Sequence, residues 1–103
     1  MAFAVWCRDT RSGDPQGIRA RELRPHLDYV ATLGPRLLVA GPLQLAGAEP
    51  FDGSLFVYDV ATEAEARELL TGDPYFKAGL YESITVSAFI PARGRWLDAA
   101  PPE

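Results

Sequence analysis

Residues 18–33, IRARELRPHLDYVATL, are the stretch on which the interpretation of the whole chain depends. Leu23, Leu27 and Val30 recur at helical spacing, which predicts an amphipathic helix with these three side chains on its core face. His26, the only histidine in the protein, is placed by this spacing on a flank of that face. The stretch therefore predicts a helix that carries a half-buried titratable group at the edge of the core.

Pro25 leaves two arrangements of this helix open. A proline inside a helix removes a hydrogen bond and clashes with the preceding turn, whereas a proline in the first turn is common. The commoner arrangement makes residues 19–24 a short separate turn and starts the main helix at Pro25. His26 then lies at the positive end of the helix dipole. Gly34 and Pro35 end the helix in either arrangement.

Length, charge and cysteine content limit the class of protein. A chain of 103 residues accommodates one domain with a single core. The net charge of −4, with no basic cluster among aromatic residues, argues against a nucleic-acid partner. Without a long apolar run or a basic leader, we expect neither a membrane span nor a secretion signal. Cys7 is the only cysteine, which is typical of a reducing compartment, so we expect a cytoplasmic protein.

Four apolar stretches punctuated by turn residues predict strands, at residues 2–8, 37–40, 54–60 and 83–90. A capping box at Thr62 and Glu65 predicts a second helix to about residue 70. Asp73 is predicted to cap one further turn, with Pro74 in its first position. The order β-α-β-β-α-β predicts an α+β, ferredoxin-like sandwich. Its four-stranded antiparallel sheet carries both helices on one face.

The other face of this sheet is predicted to be apolar as well. The strand at residues 2–8 places Val5 and Cys7 on one side and Ala4 and Trp6 on the other, and the third strand is also apolar on both sides. A soluble monomer does not tolerate an exposed apolar patch as large as a sheet. We therefore expect a homodimer in which two sheets pack face to face about a two-fold axis.

Six short motifs follow one another along the chain. They are Arg19, Pro25-His26-Leu27, Ala40-Gly41-Pro42, Gly53-Ser54, Asp73-Pro74-Tyr75 and Tyr81-Glu82. In this order and spacing the chain resembles the YCII-related (YciI-like) family of the dimeric α/β-barrel superfamily. The family usually has one residue between the proline and the histidine. Here Pro25 directly precedes His26, and Arg24 stands where that proline is expected.

The resemblance also divides the chain. It covers residues 1–90 as one YCII-like domain with the ferredoxin-like fold and leaves residues 91–103 as a C-terminal tail. Trp96 and Leu97 are an apolar pair within this otherwise polar, proline-rich tail. An apolar pair in a tail usually docks on another surface.

His26 and Asp73 are the candidate catalytic pair, and the resemblance implies a His/Asp site at these positions beside the sheet. In this interpretation Asp73 fixes the tautomer of the imidazole, and His26 exchanges a proton near neutral pH. In the alternative, Asp73 only caps the following turn and His26 is a structural flank residue. Activity in the family is mostly unassigned. A related member is a dehydrochlorinase of a chlorinated hydroxyquinol, and neighbouring families include muconolactone isomerases and cofactor-free monooxygenases.

Three further residues are candidates for substrate binding. Arg19 can neutralise a carboxylate or phenolate, although it can equally be one of several solvated arginines. Ser54 can donate to a substrate oxygen, while the sequence offers no adjacent base to make it a nucleophile. Tyr75 can form a pocket wall or belong to the core. Cys7, in an apolar strand, is expected to be an inert buried thiol rather than a nucleophile.

These features favour an enzyme without a cofactor. One histidine and one cysteine do not supply a usual metal site, and no phosphate-binding or dinucleotide motif is present. We expect acid/base chemistry on a small anion, aromatic or lactone-like, by elimination, isomerisation or related lyase or hydrolase reactions. The alternatives are a non-catalytic module that binds a small molecule in the same pocket and a purely structural dimerisation domain.

Overall fold

In the computed structural model, which describes residues 1–98, a four-stranded antiparallel sheet has the strand order β2-β3-β1-β4. The strands are β1 (Ala2–Asp9), β2 (Leu37–Leu43), β3 (Gly53–Tyr58) and β4 (Tyr81–Phe89). The helices are α1 (Pro15–Thr32), α2 (Glu63–Thr71), α3 (Pro74–Lys77) and α4 (Arg95–Asp98). This order confirms the predicted ferredoxin-like α+β fold. The part of the predicted tail at residues 99–103 lies outside the described residues.

β1 is central and carries the core. Alternation along this strand buries Phe3, Val5 and Cys7 on the face that the helices cover. On β3, Phe56 and Tyr58 extend the same face, and their rings stack with centroids 5.6 Å apart. Leu33, which directly follows α1, and three buried residues of α2 complete the core, the latter being Ala66, Leu69 and Leu70. Near α2, the sheet face that the helices cover is therefore filled by packed core side chains.

α1 is one continuous helix, so of the two arrangements left open at Pro25 the structure has the one with an internal proline. Asp14 caps it, with Oδ1 accepting a hydrogen bond from the backbone N–H of Gly17 at 3.0 Å, and Pro15 occupies the first turn. This cap supplies the start signal well before Pro25, and most helical stability in proteins comes from tertiary packing. His26 therefore lies in the second half of the helix rather than at the positive end of its dipole.

The face of α1 that meets the core also differs from the prediction. Leu23 and Leu27 are 48% and 43% exposed, and Val30 is only partly buried. The reason is that an open cavity separates this part of α1 from the sheet, and all three side chains line it. The apolar periodicity of the helix thus identifies a cavity wall, because sequence periodicity does not distinguish a filled core from a hollow one.

β2 continues through Gly41 and Pro42 to Leu43, past the predicted end of this strand at residue 40. Because β2 is the edge strand, a proline without a backbone N–H is tolerated there. None of the described helices is long and apolar enough to cross a membrane.

The sheet face opposite the helices carries large exposed apolar side chains. Trp6 is 47% exposed, and Leu38 and Phe89 are exposed on the same face. The chain that follows β4 borders this surface, where Trp96 and five sheet residues line a second groove. The predicted docking of Trp96 is incomplete, since its side chain is 72% exposed.

Candidate functional site

A cavity of about 500 Å³ opens between α1 and strands β2 and β3. This volume is within the range of small-molecule sites. Most of its wall is apolar or aromatic, formed by Leu23, Leu27, Val30, Ala40, Phe56 and Tyr75. Four of the five predicted site residues line it, namely His26, Arg19, Ser54 and Tyr75. The fifth, Asp73, lies behind His26 and is fully buried.

His26 and Asp73 form the contact that the sequence suggested. Nδ1 of His26 is 3.0 Å from Oδ1 and 2.9 Å from Oδ2 of Asp73. Because a carboxylate only accepts hydrogen bonds, the proton of this contact is on Nδ1. Nε2 has no hydrogen-bond partner among the described residues. The arrangement leaves Nε2, on a residue that lines the cavity, able to take up or release a proton.

Asp73 has a second role in the same place. Its Oδ1 accepts a hydrogen bond from the backbone N–H of Tyr75 at 2.9 Å, which makes Asp73 the N-cap of α3. Asp73 can therefore be the partner of His26 and the cap of the following turn at the same time. The backbone and imidazole N–H groups together compensate for burial of the carboxylate. Asp73 thus anchors both α3 and the His26 ring.

Two aromatic residues hold the imidazole in place. The Tyr75 ring stacks on it at a centroid distance of 4.1 Å and an angle of 17°, and Phe56 meets its edge at 6.2 Å. Burial raises the pKa of Tyr75, so its hydroxyl stays protonated at neutral pH. Tyr75 is consequently both a buried residue and a cavity wall, which reconciles the two roles considered from sequence.

Arg19 is paired with a buried carboxylate that sequence reasoning missed. Its Nε and Nη2 donate to the two oxygens of Asp9 at 2.7 and 2.9 Å, and Nη2 also donates to the Gly53 carbonyl at 2.7 Å. Burial alone acts to lower the pKa of Arg19, but the hydrogen bond and charge of Asp9 outweigh it and raise the pKa. Asp9 thus offsets the charge expected to neutralise a substrate. The sequence signal that could have indicated this ion pair is an acidic residue, Asp9, at the end of an apolar strand.

Ser54 connects this ion pair to β4. Its Oγ accepts a hydrogen bond from Arg19 Nη2 at 3.2 Å and another from the Tyr81 hydroxyl at 3.0 Å. Burial raises the pKa of Tyr81 well above its usual value, so its hydroxyl stays protonated at neutral pH. The predicted strand at residues 83–90 began beyond Tyr81, and for this reason its contact with Ser54 was not foreseen.

Cys7 lies under the site, on the core face of β1. Burial, with smaller contributions from the charges of Asp73 and Asp9, raises the pKa of its thiol to about 12. The thiol stays protonated at neutral pH, which agrees with an inert role. Among the residues that the structure describes, no three His, Cys, Asp or Glu side chains gather into a group that could hold a metal ion.

Known proteins share this architecture. Residues 1–90 match the family model of the YCII-related domain. The chain is similar in structure to 5-chloro-2-hydroxyhydroquinone dehydrochlorinase (TftG) from Burkholderia phenoliruptrix AC1100, solved in complex with 2,5-dihydroxybenzoquinone. The two share 28% sequence identity over 87% of this chain and 94% of that chain, with a TM-score of 0.75.

A more distant likeness concerns the fold alone. A NIPSNAP family protein from Agrobacterium tumefaciens str. C58 is 18% identical over 88% of this chain and 92% of that chain, with a TM-score of 0.51. No curated protein matches the chain.

Proposed function

The chain belongs to the YCII-related family, and on this premise we propose that it is a cofactor-independent acid/base enzyme acting on a small aromatic anion. One observation carries the proposal. His26 is held by buried Asp73 through Nδ1, while its Nε2 is unpartnered among the described residues and His26 lines an apolar cavity. A fixed imidazole with one free nitrogen is the arrangement that general acid/base catalysis requires.

The likeness to the dehydrochlorinase supports the reaction class. That protein removes hydrogen chloride from an aromatic hydroquinone, and its identity with this chain is 28% over most of both chains. Elimination needs a base that accepts a proton as the leaving group departs. An apolar cavity with a few polar groups also fits an aromatic ring with oxygen substituents. We therefore favour elimination, with isomerisation as the related proton-transfer reaction.

Each polar residue has a distinct part in this proposal. His26 accepts the proton at Nε2, and Asp73 fixes the tautomer and stabilises the imidazolium that forms. Ser54 and Arg19 hold the substrate oxygens. Arg19 Nη1 has no hydrogen-bond partner among the described residues, so it is available to a ligand despite the pairing with Asp9. Tyr75 supplies the aromatic wall.

The test combines ligand binding with turnover. We expect 2,5-dihydroxybenzoquinone to raise the melting temperature, because a ligand that binds only the folded state stabilises it. We further expect chloride release from 5-chloro-2-hydroxyhydroquinone, lost in His26→Ala and strongly reduced in Asp73→Asn. Asp28→Ala is the matched control, since Asp28 lies two positions along α1 with a side chain 70% exposed. Equal turnover in His26→Ala and Asp28→Ala contradicts the proposal.

The main alternative is a module that binds a small molecule without transforming it. The largely apolar cavity favours binding by itself, because apolar burial and a few hydrogen bonds suffice for affinity. In that case the wild-type protein binds the quinone but releases no chloride. His26→Ala then changes only the dissociation constant.

We also propose that the protein acts as a homodimer joined through its open sheet face. The exposed Trp6, Leu38 and Phe89 on that face support this assembly. Residues 1–90 form the domain in this proposal, and residues 91–103 are an appended tail. The free, buried Cys7 agrees with a cytoplasmic location.

A further inference from the structure

The hydrogen bonds around Ser54 specify the direction of its own proton. A serine hydroxyl has one proton to donate and two lone pairs that accept. Tyr81 donates to Ser54 Oγ at 3.0 Å, and Arg19, which can only donate, approaches the same oxygen at 3.2 Å. With Tyr81 as the donor in its contact, the Ser54 proton has no other acceptor among the described residues. Ser54 lines the cavity, which is the one direction left for this proton.

From this geometry we infer that Tyr81 is a positioning residue that, through Ser54, makes the Ser54 hydroxyl an obligate hydrogen-bond donor to a ligand oxygen. The inference rests on the proposed function, because the ligand occupies the same cavity. It adds a specificity rule to that function. The site selects an acceptor oxygen next to Ser54, such as a quinone carbonyl or a phenolate, over a group that must itself donate.

Arg19 reinforces the direction of the Ser54 proton. The two N–H groups of Nη2 serve three acceptors, the Asp9 carboxylate, the Gly53 carbonyl and Ser54 Oγ, of which the Ser54 contact is the longest. Tyr81 therefore provides the shorter hydrogen bond to Ser54. The cationic guanidinium nevertheless disfavours a Ser54 proton pointing towards it, because like partial charges repel. Both neighbours turn the proton towards the cavity.

Tyr81 is suited to a fixed orienting role. It is the first residue of β4, partly buried against the core, and its backbone pairs with Asp9 across β1. The pairing of β1 with β4 thus fixes the backbone of Tyr81 and also that of Asp9, the residue that pairs with Arg19. A donor kept in place before the ligand arrives costs no reorganisation on binding.

A double-mutant cycle tests the coupling. The readout is the dissociation constant of 2,5-dihydroxybenzoquinone, measured by calorimetry on wild-type protein, Ser54→Ala, Tyr81→Phe and the double variant. Loss of a hydrogen bond to a charged oxygen predicts about tenfold weaker binding in Ser54→Ala. Tyr81→Phe is expected to weaken binding by about threefold to tenfold, and the double variant to bind no more weakly than Ser54→Ala.

Tyr58→Phe is the matched control. Tyr58 is a second buried tyrosine, and its hydroxyl has no hydrogen-bond partner among the described residues. Removing that hydroxyl is expected to leave the dissociation constant unchanged. A Tyr81→Phe variant that binds as wild type overturns the inference. A Tyr81→Phe effect that is equally large in the Ser54→Ala background also overturns it, because Tyr81 then acts independently of Ser54.

Neutron diffraction on the unliganded protein separates this inference from the proposed function. Absence of quinone binding by the wild type contradicts the aromatic ligand of the proposed function. The hydroxyl orientation remains decidable in that case. A Ser54 deuteron directed into the cavity and a Tyr81 deuteron on the line to Ser54 support the inference. A Ser54 deuteron on the line to Tyr81 refutes it.

Discussion

Asp9 and Arg19 form a buried ion pair that affects both the stability of the fold and the position of Arg19. Both side chains are largely withdrawn from solvent, and the Arg19 Nε to Asp9 Oδ2 distance is 2.7 Å. A buried ion pair adds little net stability compared with an apolar pair, but removing one partner leaves a charge without compensation. The pair therefore makes the position of Arg19 beside Ser54 dependent on Asp9.

We predict that Asp9→Asn lowers the free energy of unfolding by about 3 kcal/mol, because it leaves the Arg19 charge buried and unpaired. Urea denaturation measures this quantity. Glu63→Gln is the control, since it breaks an exposed ion pair with Arg67 of similar length, 2.8 Å. The control is expected to cost about 0.5 kcal/mol or less. Equal losses in the two variants show that the Asp9 pair is not effectively buried.

Cys7 predicts a loss of stability at alkaline pH. Burial raises the pKa of its thiol from 9.0 to about 12 in the folded protein. Between these values the unfolded chain releases the thiol proton while the folded protein keeps it. The unfolded state then binds fewer protons, so the free energy of unfolding falls as pH rises, by up to about 1.4 kcal/mol per pH unit.

Cys7→Ala is therefore expected to show a shallower decline of the unfolding free energy above pH 9.0. The measurement is urea denaturation at several alkaline pH values. The buried tyrosines contribute equally to both proteins, so the difference in slope isolates the thiol. The prediction concerns the slope and does not depend on the stability lost to the smaller side chain. Parallel pH profiles contradict it.

At the level of the elements, α1 has the greatest influence on the site. Its start at Asp14 and Pro15 follows local capping rules. Its continuation through Pro25 does not, because an internal proline disfavours the helix by removing a hydrogen bond. The contact of His26 with Asp73 of the α2–α3 connection helps to hold this half of α1 in place. Tertiary contacts thus outweigh the local preference.

We predict that Pro25→Ala stabilises the protein by about 2 kcal/mol, because Pro25 is exposed and alanine restores the missing backbone hydrogen bond. Thermal and urea unfolding measure the gain. Pro15→Ala is the matched control in the same helix, where proline is already suited to the first turn and no gain is expected. A neutral or destabilising Pro25→Ala indicates that the helix has adapted its geometry to the proline.

At the scale of the whole molecule, the main feature is the sheet face that no helix covers. Helices cover one face of the sheet, and Trp6, Leu38 and Phe89 remain exposed on the other. A contiguous apolar surface of this kind commonly marks a protein interface. The groove near Trp96 borders the same face, so the segment after β4 lies at the edge of the proposed interface.

We predict that Trp6→Asp converts the proposed dimer into a monomer. A carboxylate placed in the centre of an apolar interface loses its hydration without gaining a partner. Light scattering at micromolar concentration measures the mass. Arg24→Ala changes the net charge by the same amount on the exposed side of α1, where the Arg24 side chain is 80% exposed, and is expected to leave the mass unchanged. A wild-type protein with a monomeric mass excludes the dimer.

Local signals in the sequence determined the elements and their order. Apolar stretches predicted β1 and β4, and the caps at Thr62 and Asp73 predicted helix starts that the structure contains. These signals act over a few residues, which is why they can be recognised without a tertiary structure. The βαββαβ order followed from them, whereas the YCII-related family was inferred from the resemblance carried by six short motifs. The contact of His26 with Asp73 was also foreseen, through the resemblance.

Only the tertiary structure decided how far α1 lies from the sheet, and this distance creates the cavity. It turned Leu23 and Leu27 from predicted core residues into cavity walls. The tertiary structure also places Asp9 next to Arg19. It places Tyr81, at the start of β4, next to Ser54. Such contacts depend on the packing of side chains from elements distant in sequence. The physical reason is that local propensity specifies backbone conformation, whereas burial and hydrogen-bond partners arise only when the elements are assembled.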